Sequence, residues 1–188
     1  MTVRVVAAAT IAIGLLLVCA AWWLRPIAAA ERALVSGDLD RAVQQYTVGR
    51  RRLEWIPYGQ RLFPGLDELV RANQLSLQYA LRQYDRILEE AGAKTVRGPA
   101  SFWAGCALFD RALVEIDPEI RVKLMAEAHQ SFRRALELAP DDWDSKFNYE
   151  VTGRFLNVLQ DQPRLPTQDI IKILRERGPQ PRGGPRTG

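Results

Sequence analysis

The sequence contains few of the residues from which metal and catalytic sites are built. Among its 188 residues there is one histidine, His129, and there are two cysteines, Cys19 and Cys106. Zinc fingers, iron–sulfur centres and disulfide scaffolds all need more such ligands. GxSxG, HExxH, Walker A and GxGxxG motifs are missing as well. We therefore expect a protein that is not an enzyme and that holds no metal and no cofactor.

The chain also lacks a strong imbalance of charge. It has 26 Lys and Arg against 22 Asp and Glu, a net charge of +4. Three of the cations, Arg4, Arg182 and Arg186, lie in terminal segments, and without them the net charge is about +1. A body this close to neutral lacks the basic surface of a nucleic-acid-binding protein. Apolar residues make up 47% of the chain, which excludes global disorder.

One long apolar run is present, from Val5 to Leu24, and it carries no charged residue. A helix of this length spans about 30 Å, the thickness of the hydrocarbon core of a bilayer. Trp22 and Trp23 close the run, where aromatic side chains prefer the headgroup level. The sequence predicts a single-pass anchor over residues 1–26, with its helix ending at Arg25 and Pro26.

Three other interpretations of this run are open. Ala28 to Ala30 offers a signal-peptidase site, but it lies beyond the two tryptophans and Pro26. Cys19 could belong to a lipoprotein signal, but Val18 stands where that signal needs a small residue. A buried core helix is disfavoured by such a long uninterrupted apolar run. The anchor remains the preferred interpretation.

The side of the membrane that holds the body is weakly determined by charge. Arg25, Arg32 and Arg41 follow the run, and the positive-inside rule would place them in the cytoplasm. A very short segment before the first apolar helix is instead typical of a signal-anchor with an exported body. We expect an exported body.

The rest of the chain predicts helices. Val, Ile and Thr form no alternating runs of strand length, so an all-α body over residues 27–177 is expected. It should begin with a short helix from Ile27 to Ser36 and include one long helix from Leu66 to Ala91. The tail, residues 178–188, is rich in Pro, Gly and Arg and is predicted to be disordered.

An alanine followed four residues later by an aromatic ring occurs three times in the body. On a helix this spacing puts a small and a large residue on one face, which lets a neighbouring helix approach closely. The pairs are Ala42 with Tyr46, Ala80 with Tyr84, and Ala128 with Phe132.

This pattern resembles the tetratricopeptide (TPR) repeat. The residues that match are Gly37, Ala42 and Tyr46 in one segment and Ala128, Phe132, Ala135 and Pro140 in another. The resemblance implies a degenerate solenoid of helix pairs behind the transmembrane helix, whose concave face binds a segment of another protein. Phe147 and Asn148, on the helix that follows, would belong to the recognition surface.

The chain is also similar to MxaK-type accessory proteins of bacterial methanol-oxidation operons. The likeness rests on the anchor and on Gly37, Asp38, Ala42, Tyr46, Ala135, Leu136, Pro140, Asp142, Trp143, Asp144, Asn148 and Glu150. It implies a protein of the bacterial inner membrane, with a periplasmic body, that helps to assemble or activate a periplasmic dehydrogenase. MoxR-family ATPases and von Willebrand A domain proteins of the same operon would be its partners.

Two clusters have competing interpretations. Four acidic residues could bind calcium, but an acidic helix N-terminus is preferred because no glycine-centred loop follows them. They are Asp141, Asp142, Asp144 and Glu150. The run from Arg50 to Arg52 complements a helix C-terminus, and near a membrane it could also touch anionic headgroups.

Three aromatic residues lie at or after the end of the second predicted helix, namely Trp55, Tyr58 and Phe63. They either fold over the core or bind a partner. The leading hypothesis is a membrane-anchored protein-binding factor. The first alternative is a structural subunit of a larger membrane complex, and the second is a redox or metal enzyme using Cys106 and His129.

Overall fold

A computed structural model of the protein describes residues 2–55, 64–93 and 98–176, which form helices and no strand. This confirms the all-helical prediction. Tyr58, Phe63 and the tail 178–188 lie outside the described residues. The helices are α1 Thr2–Val35, α2 Leu39–Trp55, α3 Pro64–Ala80, α4 Tyr84–Ala91, α5 Gly98–Val114, α6 Pro118–Leu138, α7 Trp143–Asp161 and α8 Thr167–Glu176. The chain divides into two compact units, Met1–Gln83 (unit 1) and Tyr84–Gly188 (unit 2).

Helix α1 is long and apolar enough to cross a membrane. Its candidate span has a mean hydropathy of 2.5, and none of its most apolar window is buried. A core helix of a soluble protein would be covered by its neighbours, whereas Leu16 and Leu17 are 69% and 66% exposed. Thr10 does not interrupt the span, because its hydroxyl donates to the carbonyl of Val6 at 3.0 Å.

The predicted end of this helix at Pro26 is wrong, as is the separate helix from Ile27. Helix α1 continues through Pro26 to Val35. A proline inside a helix removes one backbone hydrogen bond, here the one to the carbonyl of Trp22. The side chain of Arg52 replaces it: Nη1 donates to the carbonyl of Trp22 at 3.1 Å and to that of Trp23 at 3.2 Å. A tertiary contact therefore lets the helix tolerate the proline.

The end of α1 is a Schellman motif centred on Gly37. The amide of Asp38 donates to the carbonyl of Ala33 and that of Gly37 to Leu34, with a φ of +77° at Gly37. Asp38 then caps α2, because its Oδ1 accepts from the amide of Arg41 at 3.0 Å. The turn folds α2 back along α1.

The core of unit 1 lies among its three helices. Small residues of α1 and α2 allow close approach, and larger ones of α2 and α3 fill the space between them. The buried members are Ala30, Ala33, Ala42, Val43, Tyr46, Leu53, Val70 and Leu77.

The predicted single helix from Leu66 to Ala91 is wrong, because residues 81–83 break it. Arg82 has a φ of +56°, and the amides of Gln83 and Arg82 donate to the carbonyls of Gln78 and Tyr79. This is the same Schellman motif as at Gly37, with arginine in the position that usually takes glycine. A residue with a Cβ gives no sequence signal for a left-handed turn, so the break was not predicted. Ala80 and Tyr84 therefore do not share a helix.

In unit 2, an aspartate caps the N-terminus of each of the two central helices, α6 and α7. Asp117 Oδ1 accepts from the amides of Glu119 at 2.8 Å and Ile120 at 3.2 Å, with Pro118 in the first turn of α6. Asp142 caps α7 by accepting from the amide of Ser145 at 2.9 Å. Thr167, the first residue of α8, donates its hydroxyl to the carbonyl of Leu113 near the end of α5, at 2.9 Å.

The core of unit 2 is built from apolar side chains of α5 to α8. Phe109 meets Phe155 edge to face, with ring centroids 5.4 Å apart. The buried members of this cluster are Ala112, Met125, Phe155, Leu159 and Ile170. The guanidinium of Arg121, only 7% exposed, donates to the carbonyl of Pro163 and ties α6 to the loop before α8.

Candidate functional site

The outward face of α7 in unit 2 presents two large apolar side chains. Trp143 is 74% exposed and Phe147 is 59% exposed. They are four residues apart and therefore adjacent on the helix surface. Asp144 and Glu150 are exposed on the same helix. Glu150 forms an ion pair with Arg154 at 3.6 Å, so the exposed apolar pair, with Asp144 beside it, is suited chiefly to an apolar segment of a partner.

The opposite face of α7 explains why these rings point outward. Toward its N-terminus it buries small and hydroxylated residues, and toward its C-terminus it buries large ones. The buried residues are Ser145, Thr152, Phe155 and Leu159. Gly153 lets α6 approach closely, since a Cβ there would lie 3.1 Å from Cε1 of His129.

The two residues of α7 predicted to bind a partner, Phe147 and Asn148, differ in their exposure to solvent. Phe147 is exposed. The side chain of Asn148 is half-buried, and its Nδ2 donates to the carbonyl of Asp144 at 2.8 Å. Its amide is therefore engaged within its own helix. Trp143 was not proposed as a partner-binding residue, although its spacing of four residues from Phe147 would have indicated a shared face.

His129 of α6 lies against α7 and is half-buried. Its ring stacks on Tyr149 with centroids 4.1 Å apart. Nδ1 lies 3.1 Å from the carbonyl oxygen of Tyr149 and 3.2 Å from Oγ1 of Thr152. Because a carbonyl only accepts, Nδ1 carries a proton and donates it there. The ring acts as a packing element between the two helices.

Cys106 is half-buried on α5. Burial, and then the negative charge of Asp110, raise the pKa of this thiol to about 12. At neutral pH it is therefore a thiol and a poor nucleophile. Among the residues that the structure describes, no group of three or more His, Cys, Asp or Glu could hold a metal ion.

The residues that carry the repeat pattern are either buried or lie in turns. Five of them are at most 2% exposed, namely Ala42, Tyr46, Ala128, Phe132 and Ala135. Gly37 forms the turn before α2, and Pro140 lies in the turn between α6 and α7. A residue that the repeat pattern missed is Gly105: a Cβ there would lie 2.8 Å from Cε1 and Cζ of Phe132.

In unit 1, the end of α2 lies beside the end of the candidate span. Trp55, 82% exposed, stacks on Trp23 with centroids 6.5 Å apart and planes 24° apart. The guanidinium carbon of Arg52 lies 4.9 Å from the centre of the Trp22 ring. These three tryptophans form a cluster at one level of α1, as aromatic residues do at a membrane interface. Trp55 therefore contacts α1 of its own chain and keeps most of its surface exposed.

Comparisons with known proteins identify no relative of this chain. No protein-family description matches it, and no curated protein or solved structure is significantly similar.

Proposed function

We propose that this protein is a non-enzymatic, single-pass membrane protein whose helical body binds a segment of another protein. The observation that carries the proposal is the exposed pair Trp143 and Phe147 on α7. Large aromatic side chains are enriched at the centres of protein interfaces, where they bury much area at little cost in entropy. The partner segment would supply apolar side chains for the two rings and Lys or Arg for Asp144.

A retained anchor, and not a cleaved signal, fits the continuity of α1. The part of α1 beyond Pro26 contributes Ala30 and Ala33 to the core of unit 1. Cleavage after Ala30 would remove Ala30 and Ile27 from the packing, together with the carbonyls bound by Arg52. We expect the mature protein to keep its full N-terminal helix. Intact mass measurement of the membrane-extracted protein tests this directly.

The similarity to MxaK-type proteins extends the proposal to a biological process, the oxidation of methanol. The binding partner would then be a MoxR-family ATPase or a von Willebrand A domain protein, and the periplasmic body would help to assemble or activate a dehydrogenase of methanol oxidation. Support comes from the residues that carry the resemblance, several of which, such as Ala42, Tyr46 and Ala135, are buried packing residues. Loss of dehydrogenase activity in a deletion strain, restored by the full chain, is the expected outcome.

A photo-crosslinking amino acid in place of Phe147 tests the binding surface. Asn157 is an exposed residue further along the same helix and is the matched control position. We expect one discrete crosslinked protein from position 147, loss of it when Trp143→Ser is added, and none from position 157. Equal crosslinking from both positions, or none from either, contradicts the proposed surface.

A further inference from the structure

Helices α1 and α2 of unit 1 enclose a groove that is lined by arginine. Its volume is about 610 Å³, and four guanidinium groups line it, those of Arg25, Arg32, Arg41 and Arg52. No carboxylate is among the described residues that line it. Four like charges around one groove repel one another, so an anion within it would be stabilised.

Two acidic side chains of the same segment, Glu31 and Asp38, have partners of their own. Glu31 accepts the hydroxyl proton of Tyr46 at 2.5 Å, on the core side of α1. Asp38 accepts from the backbone of Arg41 as the cap of α2. Arg52 is fixed in the groove by its bonds to the carbonyls of Trp22 and Trp23 and by the Trp22 ring. The described residues that line the groove therefore supply no carboxylate for these arginines.

The groove begins where the apolar run ends. Trp22 and Arg25 line its end nearest the candidate span, and Arg32 lies about 10 Å further along α1 at the rise of a helix. The headgroup layer of a bilayer is about 5 to 8 Å thick on each side of the hydrocarbon core. Arg25, and Arg52 beside Trp22, therefore lie at the level of lipid phosphates, and Arg32 lies beyond it.

An apolar groove lies beside the same part of α1. It has a volume of about 390 Å³ and is lined on α1 by Leu16, Ala20 and Leu24, with Leu53 and Leu66 from α2 and α3. Its lining suits a hydrocarbon chain. The two grooves together offer positive charge at the headgroup level and apolar surface at the acyl level.

We propose that unit 1 binds an anionic phospholipid, with the phosphate headgroup among Arg25, Arg32, Arg41 and Arg52 and an acyl chain along the apolar groove. This inference rests on the membrane anchorage proposed above. Each arginine at a membrane surface strengthens binding of an anionic lipid by about fivefold. Removal of three of them should weaken it by about a hundredfold.

Fluorescently labelled phosphatidylglycerol, titrated into the full-length protein in micelles of a neutral detergent, measures the affinity by anisotropy. The test variant is R25Q/R32Q/R41Q, which keeps Arg52 and its backbone contacts. The matched control is R133Q/R134Q/R154Q, which removes three exposed arginines of unit 2 and the same total charge. We expect about a hundredfold loss for the first variant and less than threefold for the second.

A charge-retaining variant, R25K/R32K/R41K, keeps the test valid if the glutamine variant folds poorly. It should bind within about tenfold of the wild type, since lysine retains the charge but not the bidentate geometry. Affinity of the glutamine variant within threefold of wild type, or equal losses in both glutamine triples, would overturn the lipid site. Displacement of the lipid by inorganic phosphate at comparable concentration would also overturn it, in favour of a free phosphate.

Insertion into vesicles of neutral phosphatidylcholine separates this inference from the anchorage. A protein that resists alkaline extraction from those vesicles but does not prefer phosphatidylglycerol is anchored and lacks the lipid site. A protein that is extracted from them lacks the anchorage, and the proposed function and the lipid site then fail together.

Discussion

Unit 1 holds its helices together with directional polar contacts. The hydroxyl of Tyr46 on α2 donates to Glu31 of α1 and accepts from Nδ2 of Asn73 on α3, at 2.5 and 3.2 Å. Arg52 of α2 binds the backbone of α1 opposite Pro26. Each contact joins a specific donor to a specific acceptor, so unit 1 should be sensitive to protonation and to changes of polar groups.

In unit 2, aromatic rings pack closely against glycine residues of neighbouring helices. Phe132 lies directly on Gly105, and His129 lies on Gly153. Phe102 also meets Phe132 edge to face at 5.8 Å. Because such packing depends on shape, unit 2 should be sensitive to changes of volume. The comparison shows that two sets of helices in one chain can lose stability for different physical reasons.

The largest effect is expected for Phe132→Ala. Phe132 is 1% exposed and fills the space beside Gly105. Its removal leaves a cavity, so the free energy of unfolding should fall by about 3–5 kcal/mol. Chemical denaturation in detergent micelles measures it. A loss below about 1 kcal/mol would show that unit 2 does not depend on this ring.

Gly105→Ala should cost about 1–3 kcal/mol, because the added methyl group would overlap the Phe132 ring. Gly14→Ala is the control, since a Cβ at Gly14 meets nothing within 4 Å. Gly49→Ala in unit 1 meets only one atom closer than 3 Å, Cγ1 of Ile27 at 2.8 Å, whereas Gly105→Ala meets three atoms of the Phe132 ring within 2.9 Å. Its unfolding midpoint should change less than that of Gly105→Ala.

A double-mutant cycle tests whether Arg52 replaces the backbone hydrogen bond that Pro26 removes from α1. In the wild-type chain Arg52→Ala leaves the carbonyl of Trp22 without its donor, whereas Pro26→Ala restores a backbone N–H for it. We expect a coupling energy of about 1 kcal/mol between the two changes. Additive effects on the unfolding free energy would mean that Arg52 and Pro26 act independently.

Tyr46→Phe should cost about 1 kcal/mol at neutral pH through the lost hydrogen bonds. Burial, and then the hydrogen bond to Glu31, raise the pKa of Tyr46 from 10.0 to about 12. The folded state therefore holds the proton more tightly, so this stability is complete below pH 10 and is lost as the pH rises to about 12.

Cys106 must be removed from this pH test, because its pKa is also raised, from 9.0 to about 12. In a Cys106→Ala background, the unfolding free energy of the Tyr46 protein should fall between pH 10 and pH 12. That of Tyr46→Phe should fall less over the same interval. Parallel curves would exclude Tyr46 as the titrating group.

Much of the fold was predictable from local signals in the sequence. Caps at Asp38, Asp117 and Asp142 lie where the sequence places a short acidic side chain before a helix, and their bonds are local. Gly37 marked a left-handed turn because only glycine takes that conformation without strain. The burial of Tyr46 and Phe132 followed from the spacing of small and large residues on a helix face.

The candidate surfaces were less predictable. Phe147 was proposed from a resemblance. That Trp143 is exposed beside it became clear only from the way α7 packs. The basic groove joins arginines that are up to 27 residues apart along the chain, from Arg25 to Arg52. Neither surface has a contiguous motif, because each is made of side chains brought together by helix packing.

The sequence alone determined the helical class, the apolar span and the helix caps, since helix periodicity, the length of an apolar run and capping are local properties. The tertiary structure decided that α1 passes through Pro26 and that a turn at Arg82 separates α3 from α4. It also decided which arginines share a groove. A missing hydrogen bond or an unfavourable φ has a definite local energy, but whether a helix accepts it depends on contacts that distant residues supply.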